Sequence, residues 1–163
     1  MPEYSDEQLQ PCLFDRLTDE NPDSKQDSRS TRVVSVQRYR EGVLRDLRWL
    51  LNAKNHLDEK EIQEFGEVRQ SVLNYGMRDL AGLLSSDLDL GEIEHQIRQT
   101  ILDFEPRIFS NTLTVRATGE SVTEAHNPNI IAIEISGELW ATPLPEQLFL
   151  QTRIDLETGE CLI

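Results

Sequence analysis

Cysteine is scarce in this sequence: Cys12 and Cys161 are too few and too far apart to read as a disulfide framework or a thiolate metal cluster. That scarcity points to a reducing compartment. No apolar run approaches the roughly 18 residues that a membrane-spanning helix requires. The opening Met-Pro-Glu-Tyr-Ser-Asp-Glu has neither a basic n-region nor an apolar h-region, so a cytoplasmic protein without membrane insertion is expected. Positive charge is also short, with 16 Lys and Arg against 30 Asp and Glu. The resulting net charge of −14 argues against a general nucleic-acid binder, because phosphate contacts need a basic face.

The local signatures of catalysis are missing as well. There is no Gly-rich phosphate loop, no Gly-x-Ser-x-Gly elbow, no His-Glu-x-x-His pair and no Cys-x-x-Cys. His56, His95 and His126 fall on a loop, a polar helix face and a turn, which does not read as a shared metal site or base. The expectation is a protein with no catalytic residue, no metal and no cofactor.

What remains is a chain of 163 residues, a length that supports one core better than two, with 37% hydrophobic and 28% charged residues as in ordinary globular domains. Residues 1–30 read as an N-terminal arm and flexible linker, and 31–163 as a single α+β domain. The arm keeps one apolar island, Leu13, Phe14 and Leu17, ahead of the polar linker 18–30. An island of this kind docks on something, either this chain's own core or a neighbouring subunit.

Residues 31–51 stand out as basic, with five Arg against Glu41 and Asp46. This segment reads as an internal counter-charge for acidic neighbours or as a docking face for an acidic partner. Ser35 is a plausible N-cap, and Val36, Val43, Leu47, Leu50 and Leu51 fall near the 3.6-residue period, with Arg38, Arg45, Asp46 and Arg48 off the stripe. A helix over 36–51 follows. A short helical turn is expected around 59–65, then compact loop and short helix over 71–82, where Gly76 and Gly82 break any long element. Asp89 and Glu92 start a second strong helix, 90–104, whose face is Ile93, Ile97, Ile101 and Phe104. Pro106 ends it by pushing Glu105 out of the helical region.

Beyond Arg107 the period changes from 3.6 to 2. Leu113, Val115 and Ala117 make one alternating run, Ile131, Ile133, Ile135 and Leu139 a second, and Leu148, Leu150, Ile154 and Leu156 a third. Turn residues lie at Gly119-Glu120 and His126-Asn127-Pro128, and again at Thr142-Pro143-Leu144-Pro145. The predicted fold is α+β, with N-terminal helices packed on a C-terminal three-stranded antiparallel β-meander. Such a sheet leaves two edges whose unpaired backbone groups a neighbouring strand can complete. The proline-free run 146–163 is the candidate edge strand.

Glu105-Pro106-Arg107 places an acid, a rigid bend and a guanidinium where helix becomes sheet. A carboxylate at the negative end of a helix dipole needs a compensating cation. Arg107 supplies it locally, or the pair presents an ionic face to a partner.

These residues carry a family resemblance in their order along the chain. Leu13-Phe14-Asp15-Arg16-Leu17, Val43 to Asn52, Ser71-Val72-Leu73-Asn74-Tyr75-Gly76 with Asp79-Leu80, Phe104-Glu105-Pro106-Arg107, and Leu139-Trp140 with Pro143 and Thr158-Gly159 resemble TssE, the baseplate wedge family of type VI secretion systems. That family is similar to the phage tail baseplate wedge proteins long labelled lysozyme-like. The resemblance implies a structural component that joins TssF and TssG to the contractile sheath. It also implies a sheet that meets the sheath proteins TssB and TssC by strand addition and helps start sheath assembly, in the cytoplasm at a membrane-associated baseplate. It makes Glu105, Pro106 and Arg107 the family signature for partner binding, with Leu13, Phe14 and Leu17 matched as a pattern. The alternative, raised by the lysozyme-like label, is a peptidoglycan glycoside hydrolase, which needs two carboxyls flanking the bond. Asp103 and Glu105 are two apart near a helix end and do not face each other.

Overall fold

Ser35 begins the longest helix: its backbone is extended and its hydroxyl accepts the Arg38 N–H, satisfying one of the amide groups that a helix start leaves open. The computed structural model describes residues 9, 11–18, 34–57, 59–82, 89–118, 129–142 and 144–162. Over these the helices are α1 (Leu13–Leu17), α2 (Val36–Asn52), α3 (Glu59–Glu64) and α4 (Leu90–Phe104). The strands are β1 (Thr114–Thr118), β2 (Ile130–Leu139), β3 (Glu146–Asp155) and β4 (Cys161–Leu162). Helices thus fill the N-terminal half and an antiparallel sheet the C-terminal half. The linker 19–30, the turn residues 119–128 and Pro143 lie outside the described residues.

Helix α2 extends one residue past the predicted 36–51 and α4 matches 90–104, where the Asp89 carboxylate accepts the Gly91 N–H. Val43, Leu47, Leu50 and Leu51 of α2 and Ile93, Ile97 and Ile101 of α4 share one core with Ile131, Ile133, Ile135, Leu148 and Ile154 of the sheet. Burial alternates along β2 and β3, so one sheet face meets the helices and the other faces water. Each fully buried Leu or Ile contributes roughly 1.5–3 kcal/mol relative to exposure, which makes this interface the main source of cohesion. Between the two long helices, the expected loop and short helix over 71–82 contains a 3-10 turn at Val72–Asn74, and a further 3-10 turn at Gly66–Gln70 precedes it. Gly76 follows at φ 116, and a Cβ there would lie 2.4 Å from the Ala53 carbonyl oxygen, so a side chain is excluded by both conformation and space.

The sheet has four strands, not the predicted three, in the order β1-β2-β3-β4. The fourth is the pair Cys161–Leu162, matched to Ile154 and Arg153. The expectation that 146–163 forms one edge strand is therefore corrected: the run folds back on itself, and β3 lies between β2 and β4 at its C-terminal end. Two residues are too few to show alternation, which is why the last strand has no period to read.

Side chains from the helices reach both outer strands. Ala117 of β1 donates its N–H to the Glu94 carboxylate at 2.7 Å, and the Leu113 carbonyl accepts from Arg98 at 3.3 Å. At the other border, Cys161 of β4 donates to the Asn52 carbonyl oxygen at 2.8 Å and accepts from its amide nitrogen at 3.0 Å.

Candidate functional site

Helix α2 carries Arg45 and Asp46 at the border of its apolar stripe, and these two side chains join three parts of the chain. Arg45 pairs with Asp15 of α1, and its guanidinium also donates to the Cys12 sulfur at 2.8 Å and to Asp46 Oδ1 at 2.9 Å. The other oxygen of Asp46 accepts from Arg107 Nη2 at 2.7 Å. Arg107 in turn holds Glu105 through two parallel bonds, Nε to Oε1 at 2.7 Å and Nη2 to Oε2 at 2.5 Å. Its backbone N–H adds a third at 3.2 Å. The result is a continuous ionic chain, Asp15–Arg45–Asp46–Arg107–Glu105, from the arm to the helix-to-sheet corner.

The corner forms because α4 ends where it must. Glu105 is the C-cap, its N–H bonded to the Ile101 carbonyl, and its carboxylate turns inward with only 4% of the residue exposed. A buried carboxylate without a partner costs several kcal/mol, and the fork of Arg107 meets that requirement. Burial works against the charged guanidinium of Arg107, yet the hydrogen bonds and charges of Glu105 and Asp46 outweigh it and raise its pKa above the ordinary arginine value. Arg107 Nη1 is buried without a hydrogen-bond partner among the described residues. The Arg107 carbonyl accepts from Trp140, which fixes the corner to the end of β2.

Of the six residues singled out from the sequence, Glu105 is inside, Arg107 is half-buried and Pro106 is exposed. Arg107 therefore supplies the local counter-charge for the helix end. Leu13, Phe14 and Leu17 are exposed on α1, which nonetheless sits against α2. Phe14 meets Trp49 edge-on at 5.1 Å, and the Arg45 guanidinium lies 5.0 Å from both rings. Such contacts contribute about 0.5–1.5 kcal/mol each, enough to seat a five-residue helix but not to bury it. The close approach is permitted by Gly42, where a Cβ would lie 3.3 Å from an Asp15 oxygen. The island thus docks on its own chain through Phe14 and Asp15, while Leu13 and Leu17 face outward.

The sequence pattern set Arg45 and Asp46 aside as off the stripe. Their spacing beside buried Leu47 and Val43 was the available signal. Arg45 acts as internal counter-charge for the arm, in keeping with one of the two readings of the basic segment. His56 and His95, read as scattered, line one open cleft together with Lys60, Arg69, Asn74 and Asp103. His126 lies outside the described residues. Among the described residues no group of three or more His, Cys, Asp or Glu is placed to hold a metal ion. No helix described is long and apolar enough to cross a membrane. The two carboxyls weighed for hydrolysis are both engaged, Asp103 by Gln70, Gln99 and Arg69, and Glu105 by Arg107.

A family model described as baseplate wedge protein gp25 matches residues 37–144, which take in α2, the Glu105–Arg107 corner and the strands β1 and β2. Comparison with the curated proteins and with the solved structures gives no match. With two-thirds of its length under the family model, this chain belongs to the gp25 family of baseplate wedge proteins, whose type VI secretion counterpart is TssE.

Proposed function

We propose that the chain is the wedge subunit of a type VI secretion baseplate, joining TssF and TssG to the contractile sheath and helping to start sheath assembly. The observation that carries this reading is the family match over 37–144, which spans the ionic corner and half of the sheet. The geometry supports it in two ways. Exposed Leu13 and Leu17 give a docked helix an apolar outer surface, which in a soluble monomer has no internal use. Exposed Pro106 sits on a corner held rigid from below by Glu105 and Asp46. In this arrangement Pro106 and the rim of Arg107 touch the partner, and Glu105 acts by fixing Arg107. The arm 1–30 and the wedge domain 31–163 work as two attachments. The assembly is placed in the cytoplasm, at a membrane-associated baseplate, with TssB and TssC reached by strand addition.

Affinity purification of the tagged chain from secreting cells tests this reading: TssF and TssG are expected in stoichiometric recovery. A folded chain that recovers neither would sink it. Peptidoglycan turnover by the purified protein, abolished in Glu105→Gln, would replace it with the hydrolase reading, which no contact among the described residues favours.

A further inference from the structure

A cleft of about 1000 Å³ opens between α3, the 3-10 turns and α4, and Lys60, Arg69, Arg78, His56 and His95 stand in its lining. The carboxylates there are already engaged. Asp79 accepts from Lys54 at 2.8 Å, and Asp103 accepts from Gln70 and Gln99, each at 3.0 Å, with Arg69 3.6 Å away. Lys60 and Arg78 are exposed and form no ion pair among the described residues, so a chain of net charge −14 holds uncompensated cations here. Asn74 lines the same cleft with 6% of its surface exposed. Its amide nitrogen donates to the Arg69 carbonyl at 3.0 Å, while its Oδ1 is buried with no donor among the described residues. A buried acceptor is costly to leave open, and a donor that reaches it recovers that loss.

Val72 and Leu73 lie in the chain between Arg69 and Asn74, two residues of this lining. At 85% Val72 is the most exposed large apolar side chain among the described residues, and Leu73 beside it is 72% exposed. The turn that carries them is held from several sides. Asn74 donates its backbone N–H to the Ser71 carbonyl at 3.0 Å, and the Ser71 hydroxyl accepts the Leu73 N–H at 3.3 Å. Tyr75 meets Phe104 edge-on at 5.4 Å, and the Met77 N–H bonds the Ala53 carbonyl at 2.9 Å. An apolar pair presented on a fixed turn loses little freedom when it is covered, which favours binding.

We propose that this cleft and the Val72–Leu73 turn form a docking site for an acidic segment of a partner protein that also carries apolar side chains. Carboxylates of the segment pair with Lys60 and with the fork of Arg78. One of its backbone N–H groups meets Asn74 Oδ1, and its apolar side chains cover Val72 and Leu73. A small anion supplies the charge but neither the donor nor the apolar contact, so the combination selects a polypeptide. The site is separate from the ionic corner and goes beyond the wedge reading, which stands or falls on the recovery of TssF and TssG.

The full chain is titrated into a short labelled peptide of Glu and Leu, read by fluorescence anisotropy, beside a peptide with Lys in place of every Glu and one with Ser in place of every Leu. The Glu–Leu peptide is expected to bind, more weakly as salt rises, and the other two to bind at least tenfold less well. Lys60→Glu combined with Arg78→Glu is expected to lose about tenfold for the acidic peptide and to gain binding of the basic one; Arg116→Glu, on the sheet, is expected to change neither. Leu73→Ser should weaken the acidic peptide without lowering the melting temperature. Peptide-induced amide shifts in the unsubstituted chain are expected at 56–60, 69–79 and 95–103, and this map decides the matter if the double variant fails to fold. No binding, equal binding of acidic and basic peptides, an unchanged affinity in the double variant, or shifts confined to other surfaces overturns the proposal. Inorganic phosphate that reproduces the shift map where the peptide does not overturns it in favour of a small-anion site, and a dimer of the chain that Leu73→Ser abolishes overturns it in favour of a second copy.

Discussion

Asp46 and Arg107, 61 positions apart, meet at 2.7 Å, and the same carboxylate also receives Arg45 on its other oxygen. One short acidic side chain thereby ties the arm, the long helix and the turn into the sheet. With three carboxylates against two guanidiniums, this ionic chain carries no surplus cation. Of the three corner residues Pro106 is the exposed one.

Arg107→Ala is expected to strand the buried Glu105 carboxylate and to lower unfolding stability by about 3–5 kcal/mol, measured by urea denaturation. Arg107→Lys keeps the charge but not the fork, and should recover only part of the loss. An unchanged midpoint for Arg107→Ala would mean that the corner is not held by this pair.

The arm should loosen in acid. Although burial opposes ionisation of Asp15, hydrogen bonds from Arg45 and Cys12 hold its pKa below the ordinary 3.8. Its folded pKa is depressed, so its contribution to docking is complete above that ordinary value and is lost as pH falls through the lowered one. Trp49 fluorescence in a Trp140→Phe background should report the separation of Phe14 below about pH 4, ahead of global unfolding.

Gly76→Ala and Gly82→Ala separate conformation from contact. Both glycines have positive φ, but only at Gly76 does a Cβ meet backbone, 2.4 Å from the Ala53 oxygen. Gly82→Ala is expected to cost about 1–2 kcal/mol from backbone strain alone. Gly76→Ala should cost clearly more, seen as a larger fall in melting temperature; equal shifts would argue against the close approach to Ala53.

The two thiols should differ in reactivity. Cys161 is buried, and burial pushes its pKa up despite a hydrogen bond with Thr152. A neutral-thiol reagent trace should show Cys12 modified first and Cys161 only on unfolding. Because the folded pKa is raised, the contribution of Cys161 to stability is complete below the ordinary thiol value of 9.0 and declines as pH rises above it. Cys161→Ser should flatten that alkaline decline.

The elements with a strong period were legible in the sequence. Helices α2 and α4 announce themselves through apolar spacing with Ser35 and Asp89 as caps, and the two ten-residue strands through alternation. Strand β4 was not legible, because two residues have no period and their pairing depends on the turn that returns Cys161 to Ile154. The inward turn of Glu105 was half legible: its helix-end position called for a cation, but the second hold on that cation comes from Asp46, a residue the helical pattern assigns to the polar side. Side-chain closures such as Asn52 on Cys161 span 109 positions and leave no mark on local spacing.

The helix side chains that reach β1 and β4 make the outer strands part of the helical layer's own bonding. Glu94, Arg98 and Asn52 each hold a backbone group of an outer strand, so a displacement of α2 or α4 is felt at the rim of the sheet as well as in the core.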